Sequence, residues 1–301
     1  TGESFSSWAG NKYFTSDCEF KNIQSTATAH TAIYLSKGAA FTSCTFDNCS
    51  SSCGGVIYSG AKLTFTGCTF KNNTNRALGG DSAIIKDVDI FDCTFEGNSS
   101  SGDGGAIKNI GGTFNITNST FKGNHANNGG AIYQALSMTT NIYGCTFENN
   151  YTVKKGGAVY ITNGLFMIND ATDETSGEMI CTIFTGNGMN AEGTAITTFG
   201  GAVYYQNHAN MQESVIKNAV FTGNVTKIAS DTTTGGAILN DSVKKLTLDG
   251  CTFTGNKGKN GSALTIGSSA TGTVVKDCTI KYNIDFATGD YVSAVYVLST
   301  D

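Results

Sequence analysis

The sequence predicts an all-β protein, a single right-handed parallel β-helix of about ten coils with three short strands in each coil. Two short motifs recur along the chain, and each recurs about every 25 residues over the first half. The segments between them are short and β-rich, and they are separated by Gly, Asn, Ser and Thr clusters that are typical of turns. We expect one domain over residues 1–301, with insertions at about 161–180, 186–199 and 205–218.

The first motif is Phe-x-x-Asn. It begins at an aromatic residue in nine copies and at Ile in the tenth, and Ile23 and Cys49 replace its Asn in the first two copies. Side chains alternate along a strand, so we expect each Phe to point inward and the residue before it outward. We also expect the Asn side chains to stack inward and bond the backbone of turns. The ten first positions are Phe20, Phe46, Phe70, Phe95, Phe121, Phe147, Phe184, Phe221, Phe253 and Ile280.

The second motif is Gly-Gly followed by a small residue and then an aliphatic one. Degenerate copies lack one or both glycines, as at Ala83-Ile84. An aliphatic residue in every copy indicates a core position. The ten aliphatic residues are Ile33, Ile57, Ile84, Ile107, Ile132, Val159, Val203, Ile238, Leu264 and Val295.

These motifs favour a parallel β-helix over a helical solenoid, because no copy contains a long run with a 3.6-residue period. Coils of a β-helix stack at about 4.8 Å, which places equivalent residues directly above one another. The motifs recur because every coil has to present the same shape to its neighbours.

Composition argues against several functions. The formal charge of −5 and the single arginine, Arg76, argue against nucleic-acid binding. The sequence contains no run of 18 or more apolar residues, so no membrane-spanning helix is predicted. The three histidines are scattered and the acids near Asp89 are explained by solvation, so we predict no catalytic residues, no cofactor and no metal site.

Ten cysteines are present, and seven stand two residues before the first position of the Phe-x-x-Asn motif. We expect these seven to form a buried column of mostly unpaired thiols, because stacked Cβ atoms about 4.8 Å apart are too distant for a disulfide. Cys181 is displaced by one residue. Cys49 and Cys53 lie outside this column, and a disulfide between them is one of two open alternatives.

Nine Asn-x-Ser/Thr sequons occur, close to the number expected by chance in so Asn-rich a chain. Three of them, at Asn98, Asn150 and Asn224, are predicted to be buried in the Asn column. The candidate glycosylation sites are Asn48, Asn72, Asn115, Asn118, Asn240 and Asn260.

Tyrosine follows the aliphatic residue of the second motif in six coils, and alternation predicts that these rings form an outward stripe. Such a stripe could bind sugar rings or another filament, or its rings could simply stack on one another. The six residues are Tyr34, Tyr58, Tyr133, Tyr160, Tyr204 and Tyr296.

The paired Gly-Gly-Ala-Ile and Phe-x-x-Asn phrases resemble the repeats of the chlamydial polymorphic outer membrane proteins and of similar adhesin-like proteins, over roughly residues 14–298. The resemblance implies a right-handed parallel β-helix and an extracellular or cell-surface setting, and it does not imply an enzyme.

We therefore expect a secreted, non-enzymatic structural protein. The chain begins and stops within partial coils that together make a near-native period, so we expect copies to stack head to tail into a filament through Phe20 and Val295. The alternative is an adhesin that binds surface glycans, host-cell or matrix components. A polysaccharide lyase or hydrolase is a third hypothesis.

Overall fold

The computed structural model describes residues 13–26, 31–35, 37–52, 54–80, 86–136, 138–173, 175–206, 208–227, 234–242, 244–285 and 294–298. These residues form strands and turns and contain no helix, and so no helix among them could span a membrane. Three ten-stranded sheets, paired in parallel throughout, contain 30 of the 38 strands. The prediction of a parallel β-helix of about ten coils is confirmed.

Each coil contributes one strand to each of the three sheets in turn. The strands of the first sheet are β1 (Tyr13–Ser16), β5 (Ala39–Thr42), β9 (Leu63–Thr66), β12 (Val88–Phe91), β15 (Thr113–Thr117), β19 (Thr139–Tyr143), β23 (Leu165–Asn169), β28 (Ser214–Lys217), β31 (Leu246–Asp249) and β35 (Val274–Lys276).

The second sheet contains the Phe positions. Its strands are β2 (Glu19–Lys21), β6 (Thr45–Asp47), β10 (Thr69–Lys71), β13 (Thr94–Glu96), β16 (Thr120–Lys122), β20 (Thr146–Glu148), β26 (Ile183–Thr185), β29 (Val220–Thr222), β32 (Thr252–Thr254) and β36 (Thr279–Lys281).

The third sheet contains the aliphatic positions. Its strands are β4 (Ile33–Leu35), β8 (Ile57–Ser59), β11 (Leu78–Gly79), β14 (Ile107–Asn109), β18 (Ile132–Gln134), β22 (Val159–Ile161), β27 (Val203–Tyr205), β30 (Ile238–Asn240), β34 (Leu264–Ile266) and β38 (Val295–Val297).

Eight further strands form four small pairs at the corners between the sheets. Three pairs are parallel: β3 (Gln24–Ser25) with β7 (Ser50–Ser51), β17 (His125–Asn128) with β21 (Tyr151–Lys155), and β33 (Lys257–Gly258) with β37 (Ile284–Asp285). The fourth pair, β24 (Ala171–Thr172) with β25 (Met179–Ile180), is antiparallel.

The phenylalanines of the second sheet form a continuous stack inside the solenoid. Phe95 pairs in register with Phe70 and Phe121, and consecutive rings from Phe20 to Phe253 lie 4.6 to 4.9 Å apart with interplanar angles of 3 to 6°. The rings inside the rod are fully buried. Burying each Phe side chain contributes roughly 1.5 to 3 kcal/mol, so this stack is a major part of the core.

The asparagines form a second inner column at the corner between the second and third sheets. The side-chain Nδ2 of Asn124 donates to the carbonyl of Phe95 in the preceding coil at 2.9 Å and to Oδ1 of Asn150 in the next coil at 3.0 Å. The same pattern runs from Asn73 to Asn256. Each buried amide is therefore satisfied, and the predicted Asn column is confirmed.

The Gly-Gly phrase marks the place where coils approach most closely. A Cβ on Gly130 would lie 2.1 Å from the carbonyl oxygen of Gly157 in the next coil, and Gly129 has a φ of +59°. A larger residue at either position would clash with backbone or strain its own. The repeat therefore keeps both glycines in most coils.

The structure corrects one predicted core position and the predicted bounds of the insertions. Ala77 and Leu78, not Ala83 and Ile84, fill the third-sheet position of their coil, where Leu78 pairs with Ile57 and Ile107; residues 83 and 84 lie outside the described residues. The insertions are also narrower than expected, because β23 and β28 within the predicted ranges are regular strands. The excursions from the coil are 171–180, 189–196 and 206–213.

The cysteine column is present as predicted, and the nine described cysteines are free thiols. Cys145 is buried, and its Sγ donates to the carbonyls of Tyr143 and Ile116. Ser119 and Thr182 continue the column where Cys is absent, since the backbone amide of each preceding coil donates to their hydroxyls.

Cys49 holds the Asn position of the motif in the second coil. It is a buried free thiol at the end of the Asn column, where its backbone N–H donates to Oδ1 of Asn73 at 2.9 Å and its Sγ to the carbonyl of Phe20 at 3.4 Å. Cys53 lies outside the described residues, so the Cys49–Cys53 disulfide stays a prediction.

The buried thiols predict a loss of stability at alkaline pH. Burial raises the pKa of Cys145 from 9.0 to about 12. Because the folded-state pKa is the higher one, this stabilising contribution is complete below pH 9 and is lost between pH 9 and pH 12. The loss is about 1.4 kcal/mol per pH unit for one thiol.

We expect Cys145→Ser to remove that part of the pH dependence, because Ser119 already holds this position in the neighbouring coil. Urea unfolding at pH 8 and pH 10 should show that the wild type loses about 1 kcal/mol more than the variant. Equal losses in the two proteins would show that the thiol ionises as readily in the folded state as in the unfolded one.

Candidate functional site

The three excursions interrupt the regular surface at a single level of the rod. All begin in the seventh coil, which consists of β23, β26 and β27, and each leaves it at a different corner: before β26, before β27 and after β27. The ladder positions of this coil, Thr182, Phe184, Asn187 and Val203, are nevertheless buried and in register with their neighbours. The excursions therefore widen the seventh coil outward and leave its core regular.

The first excursion is a hairpin made of β24 and β25. The carboxylate oxygen Oδ1 of Asp173 accepts the backbone N–H groups of Thr175 at 2.8 Å and Ser176 at 2.7 Å, which closes the turn and lowers the pKa of Asp173. A Cβ on Gly144 would lie 2.7 Å from Cβ of Ala171, so the hairpin packs directly on the preceding coil. Glycine at position 144 makes room for it.

The hairpin walls a groove of about 490 Å³ over the fourth to sixth coils, which we call the hairpin groove. Its floor follows the end of the first sheet, where Phe91 is 38% exposed and Tyr143 is half-buried. The residues that line it are Phe91, Asp92, Thr117, Asn118, Tyr143, Ala171, Thr172, Asp173 and Thr175.

The second excursion is a closed loop at the corner between the second and third sheets. It returns to its starting point, because the N–H groups of Ile196 and Thr197 donate to the carbonyl of Gly188 at 3.0 and 3.2 Å. Its tip is held by the N–H of Thr194, which donates to Oδ1 of Asn190 at 2.8 Å.

This loop walls a second groove of about 690 Å³, which we call the loop groove. On its floor the rings of His125 and Tyr151 stack with centroids 5.0 Å apart and planes 1° from parallel. Burial lowers the pKa of His125. Lys122, at the same groove, pairs with Glu148 at 3.3 Å, so lysine and glutamate charges are interspersed there.

The third excursion, 206–213, follows the third-sheet strand of the seventh coil and folds back on the corner after that strand. Met211 is buried, and the N–H of Gln212 donates to the carbonyl of Gly164 at 3.0 Å. This excursion adds core surface and lines neither groove.

The tyrosine stripe is outward but is not an exposed surface in the middle of the rod. Tyr160 and Tyr204 are each only 6% exposed and form a small cluster with Leu239. Tyr133 and Phe199 pack against that cluster, and Phe199 directly follows the second excursion. Of the two alternatives for the stripe, packing of the rings on one another describes Tyr160 and Tyr204.

Lysine completes the cover over these rings. Nζ of Lys155 lies 5.7 Å from the ring centroid of Tyr160 and 4.9 Å from that of Tyr204. Burial raises the pKa of Tyr204 to about 12 and lowers the pKa of Lys155, so the phenol stays neutral above pH 7. The hydroxyl of Tyr160 donates to Oε1 of Gln206. These contacts fit a packed structural cluster.

The ends of the stripe differ from its middle. Tyr34 is 42% exposed and stacks on Tyr58 with centroids 5.4 Å apart. Tyr296 is half-buried. Gly79 and Lys108 occupy the equivalent positions of the intervening coils, so the stripe is discontinuous.

The sequons fall into three groups. Asn48, Asn72 and Asn118 are exposed turn residues with φ between 48 and 56°. Asn115 and Asn260 are half-buried. Asn240 is fully buried, with Nδ2 donating to Thr273 and Oδ1 accepting from the N–H of Ser242.

Asn240 is thus excluded as a glycosylation site in the folded chain. Ile238 points inward, and alternation along β30 turns the residue two places later inward as well. The sequence pattern already contained that signal.

The predicted end positions lie at opposite ends of the described solenoid. Phe20 is half-buried and stacks on Phe46 at 4.8 Å. Val295 is 39% exposed, whereas the equivalent Ile132 is fully buried.

Arg76 proves to be structural, which the sequence did not indicate. Its side chain is only 2% exposed, and it donates from Nε to the carbonyl of Asp103 at 3.1 Å and from Nη2 to the hydroxyl of Ser100 at 3.1 Å. The described residues contain no cluster of three or more potential metal ligands.

Comparison with known proteins identifies the repeat. Segments 92–109, 118–135 and 144–162 match the family model of the Chlamydia polymorphic membrane protein repeat. Each segment runs from the corner before the second-sheet strand to the third-sheet strand of one coil. The matched parts of the fourth to sixth coils are therefore similar to this repeat. No curated protein and no solved structure gives a significant match to the chain.

Proposed function

We propose that the chain is a surface-exposed, adhesin-like protein that displays a binding surface on the side of a β-solenoid. The match to a membrane-protein repeat supports a surface setting. The proposal assigns the chain binding and no catalysis.

The observation that carries the proposal is the position of the excursions. A regular solenoid offers long, repetitive faces, and binding sites in proteins are usually concave and few. Two of the three excursions wall grooves here, and both of these excursions leave the same coil, the seventh. The tyrosine cluster contributes to this level by packing beneath Phe199, not by exposing its rings.

Among the sequons, Asn48, Asn72 and Asn118 are the positions we propose for any attached glycan, because their side chains are exposed on turns. The partners we propose are glycans, host-cell or matrix components on another surface.

The test is binding of the fluorescently labelled protein to cultured animal epithelial cells, measured by flow cytometry. One variant shortens the hairpin within 172–179, and a second shortens the loop within 190–194. We expect at least one of the two to lower cell-associated fluorescence about tenfold or more, because contacts that are central to an interface carry most of its affinity.

The matched control is Thr64→Lys with Thr69→Lys, which changes two outward, half-buried residues of the third coil. It should leave cell binding within about twofold of the wild type. Unchanged binding by both shortened variants, with their far-UV spectra intact, would contradict the proposal that the excursions carry adhesion.

A second candidate is the end-to-end stacking of copies into a filament. The partial exposure of two ladder positions favours it. Phe20 is half-buried and Val295 is 39% exposed, whereas the equivalent interior residues are fully buried. A second copy would extend the Phe and aliphatic columns of the first. Such a contact is head to tail and does not close on itself.

Electron microscopy of the concentrated protein tests this candidate. We expect fibres that Val295→Lys abolishes and that Val153→Lys leaves intact, because Val153, 49% exposed, is an exposed valine away from the ends. Single monodisperse rods of the wild type at high concentration would rule the filament out.

A further inference from the structure

We propose that the hairpin groove binds a saccharide, with one sugar ring between Phe91 and Tyr143 and its hydroxyl groups bonded by Asp92, Asn118 and Asp173. This inference rests on the proposed function, to which it adds a class of ligand.

The two aromatic side chains are spaced to receive a ring. Phe91 pairs with Thr117 in the next coil, and Thr117 pairs with Tyr143 in the coil after that. Two coil spacings separate the aromatic positions by about 10 Å. A puckered sugar ring halfway between them would have its centre about 5 Å from each aromatic side chain. The thickness of the sugar ring then brings its outer carbon atoms close to contact distance with both side chains.

The slot between the rings is open because Thr117 is small. Elsewhere in the protein, aromatic residues on adjacent coils stack and cover each other's faces, as His125 and Tyr151 do. With Thr117 in the coil between them, no third aromatic ring separates Phe91 from Tyr143, and all three residues line the groove. The C–H faces of a sugar pack well on such aromatic faces.

The exposure of Phe91 is not needed by the fold. Its side chain is 38% exposed at the outward end of β12, where its neighbours on either side are Thr66 and Thr117. An aromatic residue among threonines adds apolar surface to a polar corner without adding to the core. That cost is explained if the surface is a contact for a ligand.

Polar groups surround the slot on two sides. Asp92 and Asn118 are exposed turn residues in adjacent coils, with φ of 53 and 48°. Asp173 stands on the hairpin, and the two backbone N–H groups at its Oδ1 hold its side chain in place. Carboxylates and an amide can together accept from and donate to the hydroxyl groups of a sugar.

The composition of the groove favours a neutral sugar over a charged ligand. None of the described residues that line it is Lys or Arg, so it lacks a partner for phosphate or sulfate. Oδ1 of Asp173 already accepts two backbone N–H groups, which reduces its attraction for a cation. The volume of about 490 Å³ lies within the range of small-molecule sites, about 300 to 1,000 Å³.

The saccharide could come from two sources. It could be a glycan on another surface, or a glycan attached to Asn118 itself, because Asn118-Ser119-Thr120 is a sequon at the groove. In the second case Nδ2 of Asn118 is the point of attachment, and Asp92 and Asp173 bond the hydroxyl groups. The shared chemistry is a sugar ring in the slot, and protein made with and without glycosylation separates the two.

The first arm uses protein from bacterial cytoplasm, in which Asn118 is unmodified. Saturation-transfer NMR with the methyl glycosides of glucose, galactose and N-acetylglucosamine, and with their 1,4-linked disaccharides, should detect at least one bound sugar. We expect Tyr143→Ala and Phe91→Ala each to weaken binding about tenfold, whereas Phe91→Tyr, which keeps the ring, should bind like the wild type.

The second arm uses the native protein. If mass spectrometry finds a glycan on Asn118, its release by an N-glycosidase should be several-fold slower in the wild type than in Tyr143→Ala, because the slot shields the first sugars. Met179→Ala, a hairpin residue that is 61% exposed and does not line the groove, should release its glycan at the wild-type rate.

The inference is overturned if no sugar of the panel binds and Asn118 is either unmodified or releases its glycan equally fast in wild type and Tyr143→Ala. Binding of choline without any sugar would also overturn it, since that would identify a cation site. Cell binding by Phe91→Ala and Tyr143→Ala that remains at the wild-type level would leave the adhesin proposal standing while the sugar site fails.

Discussion

Stacking in register, with one coil about every 4.8 Å, is the constraint on which the rest of this structure depends. A coil can add to the rod only if it presents the same kind of side chain at the same place as its neighbours. The Phe stack satisfies this by dispersion and apolar burial, and the Asn column satisfies it by hydrogen bonds that join each coil to both neighbours. The glycine corner satisfies it by removing side chains where two backbones meet.

The seventh coil shows how much variation this constraint permits. Its ladder positions are regular. Thr182 continues the cysteine column, Phe184 continues the Phe stack and Asn187 continues the Asn column. Its corners, by contrast, carry a hairpin, a loop and a short buried excursion. Corners can change because their outward residues have no equivalent to match in the next coil. Any binding specificity of the rod therefore has to be built at corners, where both grooves lie.

The fold could be predicted from the sequence because the residues that make the contacts between coils recur at a fixed spacing. Phe95, Asn98 and Ile107 recur at fixed spacing, and each fills the same place in every coil. The failures occur where the pattern is weak or where a distant segment intervenes. Leu78 lacks a Gly-Gly before it, so the motif favours Ala83-Ile84, although Leu78 is the residue that pairs with Ile107.

The candidate site was much less predictable. Alternation predicts that Tyr160 and Tyr204 face outward, but their burial depends on Phe199 and Lys155, which occupy corner positions that the repeated motifs do not specify. The hairpin groove brings Asp173 beside residues of the fourth to sixth coils, about 30 to 80 positions earlier. No repeat pattern predicts which way a hairpin folds, because this hairpin packs on Gly144, a residue of another coil.

The Asn column is a continuous, buried chain of hydrogen bonds through the rod, and side-chain amide exchange tests whether water reaches it. In a ¹⁵N-labelled sample transferred to D₂O, the Nδ2 signals of buried column residues such as Asn124 and Asn150 should persist for hours. Those of exposed Asn72 and Asn118 should vanish within the dead time. Equally fast loss of both sets would contradict the account, because it would show that water reaches the column that is proposed to hold the coils together.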